Sequence, residues 1–386
     1  MPAEQPVEGL RPTGYLNAFR GLAAFWVLTA HCMIWGGWHG PIIDPKMAVD
    51  LFMVLSGFLM ALTVSERQSF ESVHSARTWI EFYVRRLFRI APAYYVVLLA
   101  VVVLAVPFLA GYETLRELDP ARWLHETAHD PRTITYNLPN LAMHVSFLFG
   151  LFPAYANSTQ LPDWSLGLEM QFYAVFPAIF LLVRRYQAAV ACSALILACY
   201  LLTAAVHRLL SVAHLPQFTE PSLLVFKLPV FLIGVLIYEA ACMPQTKRWQ
   251  ILLCIVFAAL QFREYGVWSA AILGLVWCVY ILWTDTRLRR LAERLDNRLT
   301  RFMSDASYSV YLLHGLFLAL VGSRIDTYLH AQHWAQGAVV FVIWVSVLLT
   351  SYASAGILYR YVERPGVRLG RIVENRLRRA PREMIA

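Results

Sequence analysis

Runs of about twenty apolar residues recur along this chain, and they constrain its fold more than any other feature. A helix rises about 1.5 Å per residue, so some 20 residues cross a hydrocarbon core about 30 Å thick. Ten such runs are legible, at residues 15–35, 47–65, 90–110, 165–183, 188–210, 223–241, 249–262, 266–283, 306–323 and 336–359. In hydrocarbon every backbone polar group needs a partner within the protein, so the runs must be helical. The composition agrees: 59% of the 386 residues are apolar and only 15% are charged, where soluble domains carry about 25% charged residues. The expected fold is all-α, a polytopic transmembrane helix bundle of about ten spans. The stretch 139–152, "PNLAMHVSFLFGLF", has 14 residues, which suits a re-entrant or interfacial segment better than a crossing.

Charge tests that count. With the N-terminus in the cytoplasm, the connections 66–89, 184–187, 242–248 and 284–304 and the tail from Arg360 all fall inside. About 25 basic residues then lie inside, Arg11 and Arg20 included, against 6 outside. Such sorting is the positive-inside pattern and places both termini in the cytoplasm. The net charge of +8 therefore belongs to membrane topology, and no nucleic-acid partner is expected. The outer connection 111–138 is mixed in charge and holds His125 and His129. One transmembrane domain, residues 1–365, is expected, followed by a basic cytoplasmic tail, 366–386, able to touch anionic headgroups of membrane lipids. The polar start "MPAEQPVEGLRPTG" does not read as a cleavable leader.

All six cysteines lie in or beside apolar runs, and none forms a CxxC pair. They read as small core residues rather than a disulfide framework. No set of His, Cys and carboxylates has metal-ligand spacing, so no metal is expected.

The informative residues are polar ones inside the apolar runs. Arg20 and His31 both sit in the first. Eleven residues of helix return to within roughly 20° of the same face, about 16 Å along the axis. Each alone has a plain structural explanation: a snorkelling arginine, a histidine satisfied between helices. Aligned on one face, they form a functional-site hypothesis. Asp50 opens the second run, with Ser56-Gly57 inside it. Arg85, Arg86 and Arg89 stand before the third, where Arg86 and Arg89 share a helix face, although a cluster at that end also fits simple anchoring. Glu169 enters the fourth run near Trp164, Gln171 and Tyr173; His314 lies in the ninth, and Glu363-Arg364 closes the last.

Taken in order, "FRGLAAFWVLTAH", "VDLFMVLSGFLM", "RRLFRIAPAYY", "WSLGLEMQFYAVFP", "SYSVYLLH" and "VERP" resemble the acyltransferase-3 family of integral-membrane O-acyltransferases. The matching stretches span residues 15 to 365, nearly the whole chain. The family's Arg-x10-His hallmark falls on Arg20 and His31, and its Arg-x-x-Arg signature on Arg86 and Arg89. The resemblance implies transfer of an acyl group, often acetyl, from a cytoplasmic donor to hydroxyls of sugars in exopolysaccharide, O-antigen, peptidoglycan or lipid-linked saccharides. It also implies the bacterial inner membrane and polysaccharide-synthesis proteins as partners. Asn17 departs from the acid that many members carry there. Some members have a fused hydrolase-like domain; none is expected after Pro365, which makes direct transfer the simpler reading.

On that basis His31 is expected as the general base, since a neutral imidazole is cheap to bury and its ordinary pKa is about 6.5. Glu169 is expected to orient it. Arg86 and Arg89, helped by Arg20, are expected to grip the phosphates of acyl-CoA, in the simplest case acetyl-CoA. Asp50, Trp164, Tyr173 and His314 are candidate substrate ligands, His314 also a reserve base. The rival reading is a proton-coupled transporter built from the same buried charges, against which stands the lack of any internal repeat. A third is a relay of acyl groups across the bilayer to a separate enzyme.

Overall fold

The computed structural model describes residues 14–42, 44–123 and 130–379. The termini, Arg11, His125 and His129 lie outside the described residues. The polypeptide forms α1 (Tyr15–Trp35), α2 (Pro45–Arg67), α3 (Ala76–Val103), α4 (Ala105–Leu118) and the single turn α5 (Pro120–Trp123). The short α6 (Leu138–Val145) precedes α7 (Trp164–Arg185), α8 (Ala188–Val212), α9 (Leu224–Cys242), α10 (Arg248–Ala258) and α11 (Ser269–Thr284). A short α12 (Thr286–Ala292) leads to α13 (Arg298–Phe317), α14 (Ser323–Ala331), α15 (Gln336–Leu358) and α16 (Arg364–Arg379). Among the described residues there is no strand, and nine helical runs are long and apolar enough to cross a membrane. The difference from ten arises at 249–262 and 266–283. These are two limbs of one run, Gln245–Thr284, interrupted by the 3-10 segment Ala259–Trp268 where Gly266 takes φ +55°.

Burial divides the helices into a centre and a rim. Helix α9 is almost wholly buried and apolar but for Lys227 and Glu239, as expected of a helix with no solvent side. It lies against α2 through two glycines: a Cβ on Gly57 would stand 1.9 Å from the Phe231 carbonyl oxygen, and one on Gly234 1.9 Å from that of Val54. Small residues let helix backbones touch where no hydrophobic effect draws them together. Helix α1 meets α13 in the same way, where Gly21 faces Met303. Helix α8 is rim, exposing Leu197, Leu201, Leu209 and Val212, side chains suited to lipid.

Helix α3 begins well before the apolar run that announced it, so Arg85, Arg86 and Arg89 lie within its first half. Arg85 turns away from the other two, to Glu374 at 2.7 Å and Glu71 at 3.4 Å. Those carboxylates, with Glu81, are buried among Arg67, Arg77 and Arg378. Through this network α16 docks on α3, its Gly366 against Pro92 and its Gly370 against Phe88. The first part of the stretch expected as a tail is thus an ordered helix; residues 380–386 lie outside the described residues.

The segment 139–152 does not cross. It forms the eight-residue α6 and a 3-10 turn, Phe149–Leu151. A buried network holds it against α3: Tyr94 donates to Asp163 at 2.9 Å and lies 2.8 Å from His144 Nδ1, while Ser158 Oγ lies 3.0 Å from His144 Nε2. Satisfied buried polar groups of this kind fix a single arrangement. Here they set where the chain enters α7, and so where Pro162, Trp164 and Ser165 stand.

Candidate active site

Two cavities lie along α1, one at Arg20 and one at His31. The first, of about 370 Å³, is lined by Arg20, by Arg86 and Arg89 of α3, by Glu169 and Tyr173 of α7, and by Ser56 of α2. Among the described residues none of the three guanidinium groups has a carboxylate within 4.0 Å, and Arg86 Nε is buried without a hydrogen-bond partner. The Arg86 guanidinium instead lies 5.6 Å from the ring centres of both Phe82 and Tyr173. Glu169 accepts a hydrogen bond from the Tyr173 hydroxyl, with Ser56 Oγ at 3.4 Å. Partly buried cations without counter-charges, as Arg20 and Arg86 are, are costly. With the exposed Arg89 they set three guanidinium groups against one carboxylate, an arrangement complementary to a polyanion.

The second cavity, of about 460 Å³, is lined by His31, His314, Trp35, Trp123 and Trp164, and by the pair Lys46–Glu220, whose charged atoms lie 3.1 Å apart. Asn157, Gln160 and Tyr112 add polar groups. Trp35 stacks on Trp123 with ring centres 4.1 Å apart. His31 Nδ1 lies 2.9 Å from His314 Nε2. Apolar faces set among amides and a charged pair suit a molecule carrying both C–H faces and hydroxyls.

A thin wall separates the cavities. Ser165 and Tyr311 line the first while Pro162, Trp164 and His314 line the second. The Tyr311 hydroxyl bridges to the Pro162 carbonyl oxygen and lies 2.7 Å from Ser165 Oγ. Only one turn of α13 separates Tyr311 on one side from His314 on the other.

The nine residues singled out in the sequence thus divide by place. Arg20, Arg86, Arg89, Glu169 and Tyr173 meet in the arginine cavity, and His31, Trp164 and His314 meet in the other. Glu169, expected beside His31, has Tyr173 and Ser56 as its partners, and the hydrogen-bonded neighbour of His31 Nδ1 is His314. Tyr173 and Trp164, expected to share one substrate, stand in different cavities. Asp50 lines neither. It is fully buried, 3.1 Å from Lys227 Nζ, and accepts a 2.6 Å hydrogen bond from Tyr265; Lys227 also meets Glu264 at 2.6 Å. Sequence reasoning passed over Lys227, although a lysine inside an apolar run is itself a signal. It also missed Tyr311, Ser165 and the Lys46–Glu220 pair, whose residue types are unremarkable until the fold brings them together.

An acyltransferase domain family model matches residues 13–360, and the chain belongs to that family. A Bacillus subtilis (strain 168) protein named "Putative peptidoglycan O-acetyltransferase YrhL" is 30% identical over 175 residues, which is 44% of this chain and 24% of that protein. The chain therefore spans about a quarter of that relative's length. No solved structure matches.

Proposed function

We propose that this membrane acyltransferase moves an acyl group, acetyl in the simplest case, from acyl-CoA in the arginine cavity to a saccharide hydroxyl in the histidine cavity, with His31 as general base. The observation that carries this reading is the pairing along one helix of two unlike cavities, one with three guanidinium groups that have no carboxylate within 4.0 Å among the described residues and the other with an imidazole pair. Guanidinium forks suit the clustered phosphates of coenzyme A. The separation of Arg20 from His31, about 16 Å along α1, is of the order of a pantetheine arm's length. The thioester would pass the wall at Tyr311 and come to His31.

His31 would take the proton of the acceptor hydroxyl as its oxygen attacks the thioester carbon. The new C–O bond forms, the C–S bond breaks, and the imidazolium returns the proton to the departing thiolate. Trp164 offers a face to a sugar ring, and Lys46, Glu220, Asn157 and Gln160 offer partners for its hydroxyls. The peptidoglycan in the relative's name is a saccharide, which supports this acceptor class. Loop charges support an orientation with the arginine cavity toward the cytoplasm of a bacterial inner membrane and the histidine cavity toward the opposite side. In that orientation the acyl group would be delivered on the far side, to the lipid-linked sugar of a polysaccharide-synthesis complex. The wall between the cavities also fits a relay, in which the acyl group is handed to a separate enzyme.

The test is equilibrium binding of acetyl-CoA to the purified, detergent-solubilised chain, beside an Arg86→Ala/Arg89→Ala variant. Binding that the variant loses supports a coenzyme A donor. A folded wild type that binds none would send the reading back to another donor, or to transport.

A further inference from the structure

We infer that His314 is a positioning residue for His31, holding that ring in the Nδ1–H tautomer so that its Nε2 lone pair serves the acceptor. The inference rests on the reading of His31 as the base and adds the group that makes it one. Its geometry is a chain of two contacts. His314 Nδ1 lies 3.2 Å from the carbonyl oxygen of Val310, one turn earlier on α13. A carbonyl only accepts, so that nitrogen carries a proton. His314 is 1% exposed, a setting that disfavours a second proton and its charge. Its Nε2 is then an acceptor, and the 2.9 Å contact with His31 Nδ1 is a hydrogen bond only if His31 donates. The ring planes are 20° apart and the ring centres 5.0 Å apart, a separation near the most that a 2.9 Å contact allows, so both nitrogens lie close to the line of centres and the Nδ1–H bond of one ring points near the in-plane lone pair of the other. The proton of neutral His31 is thereby assigned to Nδ1, and the lone pair to Nε2, on a ring that lines the histidine cavity.

The carboxylate usual behind a catalytic histidine is replaced here by a neutral imidazole. A carboxylate in this apolar setting would need its own counter-charge. An imidazole whose far nitrogen is already spent on a helix carbonyl supplies an acceptor with no net charge. When His31 takes a proton on Nε2, the positive charge that forms meets the same acceptor, and the Nδ1–H bond to His314 becomes charge-assisted and stronger. The ring is thus held for both halves of the transfer.

The test is the rate at which diethyl pyrocarbonate, an acylating reagent for unprotonated imidazole nitrogen, modifies His31 in the full-length solubilised protein, read by peptide mass spectrometry. The variants are His314→Gln, whose carbonyl reaches outward far enough to accept from His31, His314→Asn, whose shorter amide does not, and His314→Leu. His31 is expected to react in H314Q at the wild-type rate and in H314N and H314L about fivefold more slowly, the worth of one net hydrogen bond. If H314L does not fold, the two amides still decide, since they differ in reach alone. Wild-type rates in folded H314N overturn the inference. Equal slowing in H314Q overturns it too, by assigning the effect to ring packing. The reagent needs neither acyl-CoA nor a sugar. The expected pattern in a protein that binds no acetyl-CoA would therefore end the donor reading and leave the histidine pair standing.

Discussion

Arg86 and Arg89 are three residues apart on α3, and their neighbour Arg85 shows what spacing leaves undecided. Around the helix Arg85 stands about 100° from Arg86 but only about 40° from Arg89, and it is the Glu71 and Glu374 carboxylates that draw it aside while the other two line the cavity. Acetyl-CoA affinity of the Arg86→Ala/Arg89→Ala variant is expected to fall at least tenfold, since each charge-assisted hydrogen bond is worth about 1.5–3 kcal/mol. The wild-type affinity should weaken as salt is raised, and the variant's should do so less. Salt-independent binding, measured by calorimetry, would remove the phosphate role. His31→Ala should abolish transfer with membrane abundance near wild type; loss of the folded protein would make His31 structural instead. Tyr311→Phe keeps the ring and drops the bridge to Pro162 and Ser165. It should lower thermal stability by about 1 kcal/mol while changing acetyl-CoA affinity little, and a large affinity change would make its hydroxyl a contact of the donor as well as part of the wall.

Among the elements, α2 and α9 are held at backbone contact, and nothing in the packing can yield there. Gly234→Val would drive a branched side chain into the Val54 carbonyl, which lies 1.9 Å from where its Cβ would stand. Overpacking costs about 1–3 kcal/mol, occasionally more. The variant is expected to melt lower than Gly274→Val, since a Cβ at Gly274 meets nothing within 4 Å. Equal melting temperatures would refute the close approach. Helix α16 is held differently, by charge. Glu374→Ala leaves Arg85 and Arg378 short of one buried partner, and breaking a buried pair is worth up to about 3–5 kcal/mol, less for the half-exposed Arg378. Trypsin should then cut within α16 faster than in wild type, while α3 stays protected.

At the scale of the molecule, Arg20 of one cavity and His31 of the other lie about 16 Å apart along one membrane-crossing helix, and the proposed function requires the cavities to open toward opposite sides. Single cysteines at Thr63 of the arginine cavity and Asn157 of the histidine cavity, placed in a cysteine-free background, are expected to react with a membrane-impermeant maleimide only from opposite faces of sealed vesicles. Labelling of both from one face would rule out transfer across the bilayer. The helical bundle was legible because hydrocarbon leaves an apolar run of twenty residues one regular structure. The break at Gly266 was legible as well, because Gln261, Arg263 and Glu264 interrupt the apolar pattern between 249–262 and 266–283. The docking of α16 was not legible, because a run of arginines reads the same whether it faces water or buried glutamates.

The residues of the site divide along the same line. Arg20 and His31 could be placed on one face of α1 from their spacing alone, since 3.6 residues per turn is a property of the chain's own geometry. Arg86 and Arg89 followed by the same arithmetic, and the apolar runs by themselves determined an all-helical membrane protein. Tertiary structure decided what stands beside each of them. That His31 meets His314 rather than Glu169, that Asp50 answers Lys227, and that Tyr311 stands between the cavities all depend on contacts between helices far apart in sequence. Helix periodicity says which way a side chain points; which helix it meets there is settled by close packing at glycines such as Gly21, Gly57 and Gly234, and packing is a property of pairs of helices that no single run contains.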